Sequence, residues 1–86
     1  MYRALFSRRA ERAFLNLPQQ EARRVRDAVE KLMQDPRGRG TIKLTNAPVA
    51  QFRYRVGTCR ILFDLDDEKQ LLAIVDIRGR SERAYR

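Results

Sequence analysis

At 86 residues the chain has room for one domain, spanning 1–86, with one modest core, and two stacked domains are excluded. Nineteen Lys and Arg stand against eleven Asp and Glu, a formal net charge of +8. An excess of that size in a small chain favours a polyanionic partner, because neutralising phosphates releases condensed counterions. With one cysteine and no histidine, an internal disulfide is impossible and a zinc site is not expected.

In chain order, Tyr2–Phe6 is short and rich in apolar residues and precedes Ser7, a good helix N-cap. This predicts a strand feeding a helix, in which Ala10, Ala13, Phe14 and Leu17 share one face and Arg8, Arg9, Glu11 and Arg12 take the other. Leu17-Pro18 ends that helix, and Pro18 suits the opening of a second, where its missing N–H costs nothing. The second helix is predicted to bury Ala22, Val25, Val29, Leu32 and Met33. Asp35-Pro36-Arg37-Gly38-Arg39-Gly40 then reads as a loop with solvated arginines.

The second half reads as strands. Phe52, Tyr54 and Val56 alternate with Arg53 and Arg55; Gly57-Thr58 supplies a two-residue turn; Cys59, Ile61, Phe63 and Leu65 alternate with Arg60, Leu62 and Asp64. This register opposes Val56 to Cys59, Tyr54 to Ile61 and Phe52 to Phe63, giving one apolar face. It also opposes Arg55 to Arg60 and sets Arg53 beside Leu62 on the other face, and a one-residue slip would scramble both. Asp66-Asp67-Glu68-Lys69 is a charged loop, and Leu71–Ile77 is a nearly continuous apolar run suited to a buried strand. The fold class is α+β, with two N-terminal helices on one face of a small antiparallel sheet in the order β-α-α-β-β-β.

Directly opposed arginines repel, and folding alone gives little reason to place Arg55 against Arg60. Two readings fit. Alternation by itself puts polar residues outward, where Asp64 or Asp76 would balance them in part. Alternatively, a rigid array of guanidinium groups offers planar donor forks that match phosphate oxygens. Beyond the last strand, Gly79 permits a sharp change of direction that would return Arg80 and Tyr85 towards the sheet arginines, an aromatic among cations suited to stacking on a base. Cys59 falls on the inward side and reads as a core residue, not a nucleophile.

The run Phe52-Arg53-Tyr54-Arg55-Val56-Gly57-Thr58-Cys59-Arg60-Ile61-Leu62-Phe63 resembles the hairpin of the RelE/ParE toxin superfamily, RelE branch. The resemblance extends along the chain in order: strand, helix, Leu-Pro, helix, Asp-Pro-Arg, Lys-Leu, hairpin, acidic loop, strand, and an arginine-rich end with a tyrosine. It implies a RelE-like fold and the toxin of a type II toxin–antitoxin system. It further implies a cytosolic, metal- and cofactor-independent endoribonuclease that cleaves messenger RNA in the ribosomal A site and blocks translation.

Carried over residue by residue, the resemblance gives Arg55, Arg60, Arg80 and Tyr85 catalytic roles: Arg60 on the charged phosphate, Arg80 as general acid and Tyr85 against the substrate base. Arg53, Arg78, Arg83 and Lys43 would bind RNA. The partners implied are a cognate antitoxin, the ribosome with its message, and operator DNA only through the antitoxin complex, with no membrane. Two departures stand out: Arg53 and Arg55 replace the lysines common in the family, and Cys59 replaces an aromatic. Because one fold hosts several functions, a ParE-like inhibitor of DNA gyrase without nuclease activity and a catalytically silent antitoxin-binding member are the competing expectations.

Overall fold

The first described strand, β1 (Arg3–Phe6), and the last run parallel side by side in one sheet. In between come α1 (Arg8–Leu15), α2 (Gln19–Gln34), β2 (Thr41–Lys43), β3 (Phe52–Val56), β4 (Cys59–Asp66) and β5 (Leu71–Gly79). The computed structural model describes residues 1–45 and 49–79. The sheet order is β1-β5-β4-β3-β2, antiparallel throughout except for the β1–β5 pair. The α+β class and the helical layer match the expectation; the sheet is mixed, and it has one more strand than the sequence suggested.

Local chemistry explains the two helices. Ser7 caps α1, its hydroxyl accepting the Ala10 N–H at 3.0 Å while donating to the Val75 carbonyl at 2.7 Å. One side chain thus starts the helix and fixes it to β5. Pro18 takes the N-cap position of α2. That helix buries Val25, Ala28, Val29 and Leu32 at i, i+3, i+4 and i+7, while Ala22 and Met33 are half-buried at the edge of the stripe.

Against this stripe the sheet presents Phe52, Cys59, Ile61, Phe63, Leu72, Ile74 and Ile77. Phe63, Ile61, Leu72 and Ile74 are fully buried, and Phe63 stacks on Phe52 with ring centroids 5.4 Å apart. Removing a side chain of that size from water contributes roughly 1.5–3 kcal/mol. Cys59 is in this core, its thiol 3.9 Å from Glu21 Oε1, as the inward reading required.

The predicted hairpin register is observed at all five pairs, Phe52↔Phe63 to Val56↔Cys59. Gly57 has φ +59 and Thr58 does not share the positive φ, the sign pattern of a type II′ turn. The N-terminal part of α2 covers this turn: Thr58 Oγ1 donates to Glu21 Oε2 at 3.3 Å, and a Cβ on Gly57 would stand 3.3 Å from Arg24 Nη1.

One irregularity governs the rest of the sheet. Leu62 pairs with Asp76 and Phe63 with Ile74, so Val75 is an extra residue, a β-bulge in β5. Leu72 and Ile74 face the helices, and unbroken alternation would send Asp76 and Arg78 there too. The bulge reverses the parity: Ile77 enters the core, and Asp76 and Arg78 move to the helix-free side. Among the described residues no helix is long and apolar enough to cross a membrane.

Candidate nucleic-acid interface

On the helix-free face the strand pairings align arginines from three strands. Arg55 on β3 is opposite Arg60 on β4, and Arg60 is opposite Arg78 on β5. The next row inward runs Ile42, Arg53, Leu62, Asp76 across four strands. Four guanidinium groups, those of Arg53, Arg55, Arg60 and Arg78, therefore share one patch of the sheet, drawn from three strands.

The charges are unevenly balanced. Asp76, 6% exposed, is the one buried charged residue among those described. Its Oδ1 accepts the Ile77 N–H at 2.8 Å and its Oδ2 accepts Arg78 Nε at 3.1 Å. No described residue forms an ion pair with Arg53, Arg55 or Arg60. Asp64, the other expected counter-charge, instead accepts the Gln51 backbone N–H at 2.8 Å. Arg53 carries a further mark of incompleteness: its Nε is buried and has no hydrogen-bond partner among the described residues. A buried donor left unmatched is costly.

Arg60 and Arg78 are half-buried and Arg55 is exposed, so the row offers cations held at their stems with open outer ends. Fixed guanidinium forks of this kind can grip phosphate oxygens bidentately and stabilise added negative charge on them.

Lys43 does not join this patch. Its partner in the ladder is Phe52, which places it on the helix side of the sheet, and it lines a cavity of about 490 Å³ with Arg37, Phe52 and Asp67. The physical reason is β2 itself: once residues 41–43 pair with β3, alternation gives Ile42 to the arginine face and turns Lys43 away. Arg80, Arg83 and Tyr85 lie outside the described residues.

Asp76 as a fixed partner of Arg78 was only half visible in the sequence, as a general counter-charge. The available signal was an acid inside an apolar strand, two residues from an arginine, since a buried carboxylate persists only when paired.

Comparison with known proteins agrees with this fold. The family model described as the ParE toxin of the type II toxin–antitoxin system parDE matches residues 4–84. Among solved structures, the toxin–antitoxin complex RelBE2 from Mycobacterium tuberculosis contains a chain 29% identical, with a TM-score of 0.81 over 92% of this chain and 98% of that one. The archaeal RelE–RelB complex from Pyrococcus horikoshii matches at 23% identity and TM-score 0.78, covering 92% and 94%. The isolated Escherichia coli RelE toxin matches at 17% and 0.77, covering 99% and 97%. The last two similarities speak for the fold alone. No curated protein matches the sequence.

Proposed function

Because the chain belongs to the ParE toxin family of type II toxin–antitoxin systems, we propose that it poisons its host by cutting messenger RNA on the ribosome, through the arginine row of its helix-free sheet face. The observation that carries this reading is the alignment of Arg55, Arg60 and Arg78 across three strands, with no described acid neutralising the first two. Like charges so arranged are a liability for folding and an asset only when an anion lies over them.

The chemistry is in-line attack of a ribose 2′-oxygen on the adjacent phosphorus. The new P–O2′ bond forms as the P–O5′ bond breaks, leaving a cyclic phosphate and a free 5′-hydroxyl. The reaction needs alignment, stabilisation of a phosphorane bearing more negative charge than the ground state, and two proton transfers. Arg60, with Arg55 and Arg78 on either side, meets the first two needs without a metal. Arginine stays protonated, so the 2′-hydroxyl proton goes to a base other than these residues. Arg80 as a hydrogen-bond donor to the leaving 5′-oxygen, which takes its proton from water, and Tyr85 against the base complete the proposal, with Arg53 and Arg83 on the backbone. Lys43 has no part in it.

In this reading the toxin acts in the cytosol and is silenced by a cognate antitoxin that masks the basic face. The decisive experiment is induction of the wild type and of an Arg60→Ala, Arg80→Ala double variant, with primer extension on translated messages. Cleavage by the wild type alone is expected; equal arrest and cleavage by both would refute the mechanism. The parDE description of the matching family favours one rival, a gyrase-directed toxin. Inhibition of supercoiling by the purified protein without RNA cleavage would establish that rival instead.

A further inference from the structure

We infer that Asp76 is a positioning residue for cleavage: by holding Arg78 through Nε alone, it aims the outer edge of that guanidinium at the substrate phosphate beside Arg60. The inference rests on the nuclease reading above and deepens it.

Asp76 is 6% exposed, and a carboxylate in that position is strongly unfavourable unless its oxygens are matched. Both are matched: Oδ1 by the Ile77 N–H and Oδ2 by Arg78 Nε. The backbone bond prevents the carboxylate from turning, so the direction of the second bond is set by the strand. At the other end of the pair the Arg78 side chain is 42% exposed against 9% for Asp76, so the acid sits at the root of the arginine and the guanidinium reaches outward.

A guanidinium has two usable hydrogen-bonding edges next to each other, one containing Nε and one formed by the two terminal nitrogens. Asp76 occupies Nε. The terminal nitrogens of Arg78 have no partner among the described residues, and that pair is the fork that fits a phosphate bidentately. Without the carboxylate, Arg78 would be pushed from Arg60, its neighbour in the row, and would lose the contact that fixes its χ angles.

Charge separates binding from reaction: without the carboxylate the arginines of this face attract the strand as well as before or better, so a fall in rate reports the lost aim of Arg78.

The test is Asp76→Asn in the full chain, which conserves shape and the Ile77 bond. Three quantities are read: cleavage rate at saturating programmed ribosomes, affinity for a short single-stranded RNA by anisotropy, and melting temperature. We expect cleavage to fall by about tenfold or more, the scale on which small misplacements act, while RNA affinity is unchanged or tighter. In an Arg78→Ala background the same substitution should alter the residual rate less than twofold, because Asp76 acts only through Arg78.

Wild-type cleavage with an equally active Asp76→Asn protein would overturn this inference and leave the nuclease reading intact. Loss of RNA affinity in step with melting temperature would overturn it too, by reducing Asp76 to a fold residue. Should Asp76→Asn not fold, Arg78→Lys decides: it preserves the charge and the ion pair but lacks the outer fork, so slow cleavage with normal binding is expected and wild-type cleavage refutes the inference. A wild-type protein that cuts no message overturns both readings.

Discussion

Arg37 donates both terminal nitrogens to Asp67, Nη1 to Oδ1 and Nη2 to Oδ2 at 3.0 Å each, and so joins the loop after α2 to the turn between β4 and β5. Tyr2 adds its hydroxyl to the same carboxylate, and the Arg37 guanidinium lies 5.4 Å from the Phe52 ring centroid. The end of the sheet away from the hairpin turn is thus fastened by three segments distant in sequence.

This junction makes stability depend on pH at both extremes. The hydrogen bond from Arg37, and then that from Tyr2, holds the Asp67 carboxyl below its ordinary value of 3.8. A depressed carboxyl stabilises the fold above its unfolded-state value and loses that contribution as pH falls through the folded one. Tyr2 behaves oppositely: its bond to Asp67, then desolvation, raises the phenol above 10.0, so its contribution is whole below that pH and disappears as pH climbs past the folded value. Thermal unfolding of the wild type and Asp67→Asn should therefore differ most between about pH 5 and pH 9 and converge in acid. The difference will be small, because the pair is solvent-exposed, with side chains 51% and 57% accessible. A gap that persists undiminished at pH 2 would contradict this account.

Replacing Arg60 by alanine should weaken RNA binding uniformly across sequences and lower the slope of log affinity against log salt by about 1. Arg37→Ala should leave that slope unchanged, since its charge is already matched by Asp67 and lies away from the row. Anisotropy titrations over roughly 50–200 mM salt would check both.

Gly40→Ala should destabilise the protein by more than about 1 kcal/mol, because side-chain-bearing residues resist positive φ. Gly40 has φ +96, and a Cβ there would lie 2.8 Å from Tyr54 Cε1. The effect belongs to folding alone, so denaturant melts should show it while cleavage per folded molecule stays constant.

The hairpin was legible because its information is local. A glycine turn and alternation from Phe52 to Phe63, broken only at Leu62, leave one register that keeps the apolar face whole, and the structure has that register. Ser7 and Pro18 likewise set where the helices begin through bonds within a few residues. The strand Thr41–Lys43 was not legible: three residues after a glycine-rich loop carry too little pattern, and only the exposed edge of β3 makes them a strand. That pairing turns Lys43 away from the arginine face.

The parallel placement of β1 and the bulge at Val75 were likewise decided in three dimensions. The run Leu71–Ile77 holds no sign that alternation reverses within it. Only packing requires Ile74 and Ile77 both to enter the core, three residues apart, and the strand meets that demand by bulging, with the Val75 carbonyl taken by Ser7. The sequence alone determined the class of fold, the hairpin and the excess of arginine on its outer side. Tertiary structure decided that Arg78 and its buried carboxylate join that side, because the parity of a strand is fixed by what its neighbours must bury.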